Sequence, residues 1–400
     1  MTGNTGVLVV GGSVAGLRTA ESLRRFGYDG AVTVLESGGD LPYDRTALSK
    51  RVLSGEGGPD TVMLRGPEGL DKLGVDFRLR TAARGLDSDG HQVWTTDGER
   101  IGYATLVVAS GASPRLLPVG DQEAVHYLRT LSDALSLRGA VHSVTRVVVV
   151  GAGFIGSEVA SVFAGTAASV TVVEPFPFPL ARVLGDTVGA RLARLHESRG
   201  VRLVLGRSVT DVRASGPERS VVLDDGSELA ADLVIAGIGA VPNTDWLKGS
   251  GVEVDDGVLC DEFCRASAPD VFAVGDVARW FHPLLGEAVR VEHWTNAMEQ
   301  ASVVASNIAR PENPRGFSAI PYVWSDQYGS RLQIIGRPRA DDTLRTVLDE
   351  PADGAFGALY VRDGQVAGGY FENAPVHAMR LRRAITAGET TEDVFATVTA

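Results

Sequence analysis

Two glycine-rich turns, each set in the same pattern of apolar residues, constrain the fold of this chain more than any other feature. The first lies in VLVVGGSVAGLRTA, which begins at Val7, and the second in VVVVGAGFIGSEVA, which begins at Val147. Each turn follows a run of apolar residues typical of a strand buried on both faces of a parallel sheet, and precedes apolar residues at helical spacing. A further strand then ends in an acid, Glu36 in AVTVLE and Glu174 in SVTVVE. This order of strand, glycine turn, helix, strand and carboxylate predicts two dinucleotide-binding units.

The positions of the turn have separate physical roles. The first glycine permits the tight turn, and the last, Gly16 or Gly156, lets the helix pack close to the strand. The helix N-terminus then presents N–H groups and partial positive charge to phosphates, and the acid binds ribose hydroxyls. The middle position differs, since Ser13 stands where the second copy has Gly153. Serine is small, and we expect it to be tolerated if its φ is negative. The alternative to two dinucleotide-binding units is a pair of purely structural tight turns.

Composition excludes several classes of protein. The 400 residues have a net charge of −12, which argues against nucleic acid and anionic membrane surfaces as partners. We find no apolar run long enough to span a membrane. The first strand begins at Val7, so we expect no secretory or transit peptide. We therefore expect a cytoplasmic protein. A separate expectation is that it is a monomer or a weak dimer.

The two cysteines, Cys260 and Cys264, lie close together in VLCDEFCRASAPD. Two thiols are too few for a structural zinc site, and the sequence indicates no metal. Nothing basic except Arg265 is placed to lower their pKa values, so we expect buried structural thiols.

The remaining pattern predicts an α/β fold with two Rossmann-like domains, the second inserted in the first, and a C-terminal α+β domain. After the second unit the chain returns to a buried strand in PDVFAVGDVA, and from about Ala319 it alternates strand-like segments before a helix. We assign residues 1–112 and 240–318 to the first domain, 113–239 to the inserted domain and 319–400 to the C-terminal domain.

Longer motifs along the whole chain carry a family resemblance. They are LPYDRTALSK, YLRTLSDA, PLARVLG, VFAVGDVA, VEHWTNAMEQA and YVWSDQYGSRLQIIG. With them the chain resembles the FAD-dependent NAD(P)H:ferredoxin reductases of the putidaredoxin reductase and rhodocoxin reductase type, in the glutathione-reductase-like group.

The resemblance implies that the first domain binds FAD. Lys50 would lie near the reactive edge of the flavin, Asp276 would bind the ribityl chain, and Trp324 would lie beside the flavin on the side where an iron–sulfur protein docks. The residues implied in this cofactor site are Gly11, Gly12, Ser13, Ala15, Gly16, Glu36, Arg45, Lys50, Ala83, Ala109, Gly111, Arg129, Gly275, Asp276, Glu292, His293, Trp294 and Trp324.

The resemblance also implies that the inserted domain binds NAD(P)H. Glu158 would lie near the nicotinamide as a partner of Lys50, and these two would be the catalytic residues. Glu174 favours NADH over NADPH, because a carboxylate repels the 2′-phosphate. The residues implied in the nucleotide site are Gly151, Gly153, Phe154, Ile155, Gly156, Glu158, Glu174, Arg182 and Gly239.

The implied activity is hydride transfer from NADH to flavin N5, followed by single-electron transfer to an acidic iron–sulfur ferredoxin that serves a monooxygenase or dioxygenase. The segment PYDRTALSK has no dithiol, so no thiol relay is expected. Two alternatives are a flavin reductase for a small acceptor such as a quinone or monodehydroascorbate, and a redox-sensing protein of the apoptosis-inducing-factor kind. Candidate docking residues are Arg310, Arg315, Arg331, Arg337, Arg339, Arg380, Arg382 and Arg383.

Overall fold

The computed structural model describes residues 6–216, 218–350 and 354–399. In chain order the α-helices are α1 (Val14–Arg25), α2 (Pro67–Leu73), α3 (Leu131–Ala140), α4 (Phe154–Ala164), α5 (Ala181–Glu197), α6 (Trp294–Ala309), α7 (Pro375–Ala387) and α8 (Thr391–Thr399). The strands are β1 (Val7–Val10), β2 (Val32–Leu35), β3 (Asp76–Arg78), β4 (Ala83–Asp87), β5 (Gln92–Thr95), β6 (Arg100–Gly102), β7 (Thr105–Val108), β8 (Ala112–Pro114), β9 (His126–Tyr127), β10 (Arg146–Val150), β11 (Ser169–Glu174), β12 (Arg202–Leu205), β13 (Val209–Ser215), β14 (Glu218–Leu223), β15 (Glu228–Ala231), β16 (Leu233–Ala236), β17 (Ala240–Pro242), β18 (Val258–Cys260), β19 (Val271–Ala273), β20 (Ala278–His282), β21 (Glu287–Arg290), β22 (Tyr322–Gln327), β23 (Ser330–Gly336), β24 (Thr343–Glu350), β25 (Ala355–Arg362) and β26 (Gln365–Glu372).

The chain forms two compact units. The first contains the described residues of Met1–Asp44, Val62–Ser113 and Val241–Ala319, and the second those of Arg45–Thr61, Pro114–Ala240 and Ile320–Ala400. The predicted bounds of the three domains stay a prediction.

The first unit is built on a five-stranded parallel sheet in the order β19-β7-β1-β2-β3. The central strand β1 is buried on both faces, as its apolar run predicts. Val7 and Val9 pack in one apolar cluster with α1 and α6, whereas Leu8 and Val10 pack in a second cluster on the other face. This unit also contains two smaller three-stranded sheets. One has the strand order β18-β20-β21, and the other is antiparallel with the order β4-β5-β6.

The second unit repeats that arrangement in a parallel sheet of order β12-β11-β10-β16-β9. In both sheets the strand before the glycine turn lies at the centre, next to the strand that ends at or just before the acid. The antiparallel sheet β13-β14-β15 follows in the same unit. The predicted α/β class with two Rossmann-like sheets is confirmed.

The C-terminal part of the second unit is an antiparallel sheet of order β22-β23-β26-β25-β24. One face packs on α7 and α8, and the other packs on α5, where Arg191 and Glu372 form an ion pair of 2.7 Å. The sequence predicts α7 but not α8. Within the described ranges, no helix combines the length and apolar character needed to cross a bilayer.

Candidate functional site

The glycine turn of the first unit admits no side chain at its first and last positions. Gly11 has a φ of +113°, and a Cβ there would lie 2.1 Å from the carbonyl oxygen of Ala109. A Cβ on Gly16 would lie 1.8 Å from the carbonyl oxygen of Gly11. The helix α1 therefore begins directly against the turn, with its first N–H groups at the carboxyl edge of the sheet.

The second unit has the same turn. A Cβ on Gly156 would lie 2.0 Å from the carbonyl oxygen of Gly151, whose own φ is +96°. The middle position is different, because Gly153 and Ser13 are both N-cap residues with negative φ, −78° and −76°. Serine therefore fits the first turn without backbone strain, which meets the condition set by the sequence.

The two acids are held alike at the edges of the two turns. Glu36 accepts a hydrogen bond from the N–H of Gly12 (2.8 Å) and another from the N–H two residues after itself (2.8 Å). Glu174 accepts the corresponding bonds from Ala152 (2.6 Å) and from the N–H two residues after itself (3.2 Å). Each carboxylate is thus fixed beside the N-terminus of a helix, which is the geometry needed to bind a ribose next to a pyrophosphate.

A third segment meets the turn of the first unit. Gly275 has a φ of +75°, and a Cβ there would lie 3.1 Å from the Cβ of Ala15. Its N–H donates to the side-chain oxygen of buried Gln300 (2.8 Å). These contacts place the neighbouring Asp276 next to the glycine turn.

The N-terminus of α6 lies in the same unit. His293 is its N-cap residue and Trp294 its first residue, and Glu292 directly precedes the cap. Burial lowers the pKa of His293 to about 4, so the ring is neutral at physiological pH. Its Nδ1 is buried and makes no hydrogen bond with any described residue. Arg290 forms an ion pair with Glu292 and donates to the carbonyl oxygen of Asp276 (3.3 Å).

This arrangement fits a bound FAD. A buried ring nitrogen without a protein partner suits a ligand with polar edges, since buried polar atoms are otherwise hydrogen-bonded. The other predicted residues of this unit lie around the same sheet. Ala83 begins β4 and packs on the cluster behind β1, and Gly111 has a φ of +66° in the turn after Ala109.

The second unit contains a buried acid with three donors. Glu158 on α4 is 4% exposed, and its carboxylate forms an ion pair of 2.9 Å with the Nζ of Lys50. Ser325 donates a hydrogen bond to the same carboxylate (2.6 Å), and so does Ser49. Lys50 also donates to the carbonyl oxygen of Thr46 (3.1 Å). The structure therefore brings together the two residues predicted to be catalytic.

Three separate elements supply these side chains. Ser49 and Lys50 lie in a π-helical turn, Leu48–Val52, a rare element that occurs frequently at functional sites. Glu158 lies on α4 and Ser325 on β22. Sequence reasoning missed both serines. The available signal was that each is the neighbour of a predicted site residue.

Three other residues implied in the FAD site also belong to the second unit. Arg45 donates to the carbonyl oxygen of Arg129 (2.7 Å), so the two lie side by side. Trp324 stacks on Tyr322, with ring centroids 5.9 Å apart. Because side chains alternate along a strand, Trp324 lies on the opposite face of β22 from Ser325.

The nucleotide turn of the second unit is bordered by open space and apolar surface. Nothing lies within 4 Å of a Cβ built on Gly239, whose φ is +101°. Ile155 and Phe176 are exposed, although large apolar side chains favour burial, whereas Phe154 packs on the cluster around α5. Arg182 is exposed in the first turn of α5 and makes no hydrogen bond or ion pair with another described residue. These features fit a nicotinamide nucleotide. Phe176 was not predicted.

The cysteines are not placed for thiol chemistry. Cys264 is fully buried and accepts a hydrogen bond from Gln300 (3.3 Å), and burial raises its pKa to about 12. Cys260 is half-buried, and desolvation raises its pKa well above the usual value. Both thiols are therefore protonated at neutral pH. In the part of the chain that the structure describes, no group of three or more His, Cys, Asp or Glu residues could hold a metal ion.

The arginines proposed for docking are all exposed or half-exposed, but they differ in their contacts. Arg331 forms an ion pair with Asp326 (2.8 Å), and Arg382 donates to the carbonyl oxygen of Ile320 (2.9 Å). Arg315 and Arg339 are exposed and Arg337 is half-exposed, and the backbone N–H group of each donates a hydrogen bond. Arg383 is exposed and Arg380 half-exposed on α7, and Arg310 is exposed at the end of α6.

Comparison with known proteins extends over the whole chain. The pyridine nucleotide-disulphide oxidoreductase family matches residues 5–301, and the reductase C-terminal family matches residues 322–397. The ferredoxin–NAD(+) reductase component of an anthranilate 1,2-dioxygenase system from Burkholderia cepacia is 35% identical over 95% of this chain and 94% of its own. Putidaredoxin reductase from Pseudomonas putida is 33% identical over 96% of this chain and 93% of its own. The crystal structure of a covalent putidaredoxin reductase–putidaredoxin complex superposes with a TM-score of 0.91 and 32% identity, covering 96% of this chain and 94% of that one. The crystal structure of the ferredoxin reductase of the CYP199A2 system from Rhodopseudomonas palustris superposes with a TM-score of 0.93 and 31% identity. The match covers 97% of this chain and 96% of that one.

Proposed function

The chain belongs to the ferredoxin reductases of the pyridine nucleotide-disulphide oxidoreductase family, and from this premise we propose that it is an NADH:ferredoxin reductase that contains FAD. It would supply electrons to a monooxygenase or dioxygenase through a small iron–sulfur protein. The observation that carries the proposal is that each unit holds one complete turn with its own fixed carboxylate, Glu36 or Glu174. One turn serves a resident dinucleotide and the other a dinucleotide substrate.

When bound, FAD supplies the conversion of a two-electron hydride donor into single-electron steps. The residues of the first unit bind and orient it. The N-terminus of α1 would hold the pyrophosphate, Glu36 the adenosine ribose, and Asp276 the ribityl chain. Neutral His293 offers its buried Nδ1 to a polar edge of the cofactor.

Lys50 and Glu158 form the proposed catalytic pair. We propose that the Lys50 ammonium stabilises the negative charge that develops during hydride transfer, and that Glu158 holds the ammonium in place. Lys50 is one of three lysines in the sequence.

The protonation state of the two thiols supports a mechanism in which electrons leave the flavin without passing through a disulfide. A relay needs a thiolate nucleophile, whereas burial keeps both Cys260 and Cys264 protonated at neutral pH. The proposed acceptor is therefore an external one-electron carrier.

We propose that NADH is the preferred nucleotide, because the fixed Glu174 carboxylate accepts from the ribose 2′-hydroxyl and repels a 2′-phosphate. Glu174→Gln should raise the ratio of kcat/KM for NADPH to that for NADH on the order of tenfold or more. Steady-state kinetics with both nucleotides check this. Glu197→Gln, at the exposed end of α5, is the matched control and should leave the ratio unchanged. A wild-type preference for NADPH would contradict the assignment.

The test of the function is dependence on a ferredoxin. Cytochrome c reduction by NADH should rise many-fold when a ferredoxin is added, and remain slow without it. Equally fast reduction of a quinone with no protein partner would identify a small-acceptor reductase instead. A long-lived coloured complex with NADH and negligible turnover would identify a redox sensor.

We further propose that the ferredoxin is acidic and docks on the exposed face of α7. Val376 and Met379 are exposed apolar residues at helical spacing, beside Arg380 and Arg383 on the same face. Apolar contact rimmed by arginine is typical of protein interfaces. Raising the salt concentration in the same assay should lower the rate by weakening the charge attraction.

A further inference from the structure

The carboxylate of Glu158 is held on more than one side. It is almost fully buried, and a buried charge is stable only when it is paired and hydrogen-bonded. The Lys50 ammonium neutralises it, but an ammonium is a compact charge that imposes little orientation. The hydroxyls of Ser325 (2.6 Å) and Ser49 supply the directional bonds, one to each carboxylate oxygen.

The hydroxyl of Ser325 is itself oriented. It is fully buried and accepts a hydrogen bond from the side-chain nitrogen of Gln327 (3.1 Å). A serine hydroxyl has one hydrogen to donate. With Gln327 occupying an acceptor position, that hydrogen is directed at Glu158.

A second bond fastens the same strand to the same helix. Beyond the end of β22, the N–H of Tyr328 donates to the hydroxyl of Ser161 on α4 (2.7 Å). Glu158 and Ser161 are three residues apart and therefore share one face of α4. This second bond holds the end of the strand but does not involve the carboxylate.

We propose that Ser49 and Ser325 are positioning residues that fix the Glu158 carboxylate, and through it the Lys50 ammonium. Ser325 does this from the strand that carries Trp324 on its other face. The catalytic meaning of this assignment rests on the proposed function, whereas the positioning itself does not.

The first test reads the Lys50 amine directly. The holoprotein, with FAD bound and no nucleotide added, is treated with a limiting amine-acylating reagent, and the modified lysines are quantified by mass spectrometry. Ser325→Ala and Ser49→Ala should each speed acylation of Lys50 about tenfold, the order expected for loss of one hydrogen bond to a charged group. Lys72 and Lys248 are internal references whose rates should not change.

Ser161→Ala is the matched control. It removes a hydroxyl from the same helix and loosens the same strand, but does not touch Glu158. Acylation of Lys50 and the rate of flavin bleaching by NADH should both match the wild type. Changes as large as those of Ser325→Ala would overturn the proposal, because strand packing alone would then explain them.

A double-mutant cycle tests whether the serine acts through the acid. Ser325→Ala should slow anaerobic flavin bleaching about tenfold in the wild type and have no further effect in Glu158→Gln. Additive losses, or unchanged Lys50 acylation in Ser325→Ala, would contradict the positioning role. Failure of the proposed function has a different signature, because Lys50 acylation would still respond while ferredoxin dependence was absent.

Discussion

Gly156→Ala should leave a yellow protein that NADH reduces at least 100-fold more slowly than the wild type. The added Cβ would lie 2.0 Å from the carbonyl oxygen of Gly151, a backbone atom that can move only with the turn. Relief of this contact requires α4 to shift outward, and a displacement of about 1 Å can cost 100-fold in rate. The glycine turn proposed to bind FAD, with Gly11 and Gly16, belongs to the other unit, so flavin content should be retained. Stopped-flow bleaching with NADH, and with dithionite as a chemical reductant, makes the measurement.

Gly153→Ser is the matched control for this substitution. Gly153 has a negative φ, and a Cβ there would approach no atom closer than 3.9 Å. The first turn already carries Ser13 at the same position with nearly the same φ. Reduction by NADH should therefore stay within a few-fold of the wild type. If Gly153→Ser and Gly156→Ala slowed flavin reduction equally, the close approach of residue 156 to the Gly151 carbonyl oxygen would not explain the need for glycine at that position.

Lys50→Met should lower both the rate of flavin reduction by NADH and the stability of the protein. The rate should fall on the order of 100-fold, as for other charges that stabilise a transition state. Stability should fall by about 3 kcal/mol, because Glu158 is left as an unpaired charge in a buried site. Bleaching rates and denaturant unfolding measure the two effects. Lys72→Met, at an exposed position on α2, should change neither.

The double variant Lys50→Met/Glu158→Gln separates the two effects. Removing the carboxylate charge should restore most of the lost stability, since no unpaired charge remains. The bleaching rate should stay low, because the ammonium is still absent. Recovery of the rate along with the stability would show that Lys50 acts only as a structural partner. An unchanged bleaching rate in Lys50→Met would contradict its catalytic assignment.

The parts of the site that follow from backbone sterics could be predicted from the sequence. Gly11 and Gly16 stand where the backbone passes too close for a side chain, and that spacing is the same in any such turn. The strand β1 is buried on both faces because its residues are apolar without alternation. Glu36 was predictable because its distance along the chain from the turn is set by one helix and one strand.

The parts that depend on long-range packing could not be predicted. Ser49 and Ser325 converge on Glu158 from elements far apart in the chain, and a lone serine gives no signal of its contact. The segment Arg45–Thr61 belongs to the second unit, although it follows the first acid directly in sequence. The helix α8 is short, so its apolar pattern has few repeats.

The most direct test of the central claim is a single-turnover experiment on the purified flavoprotein without oxygen. One equivalent of NADH should bleach the flavin absorbance, and colour should return rapidly only when an oxidised ferredoxin is mixed in, with two ferredoxins reduced for each flavin reoxidised. Return of colour at the same rate with a quinone or a disulfide in place of the ferredoxin would contradict the account.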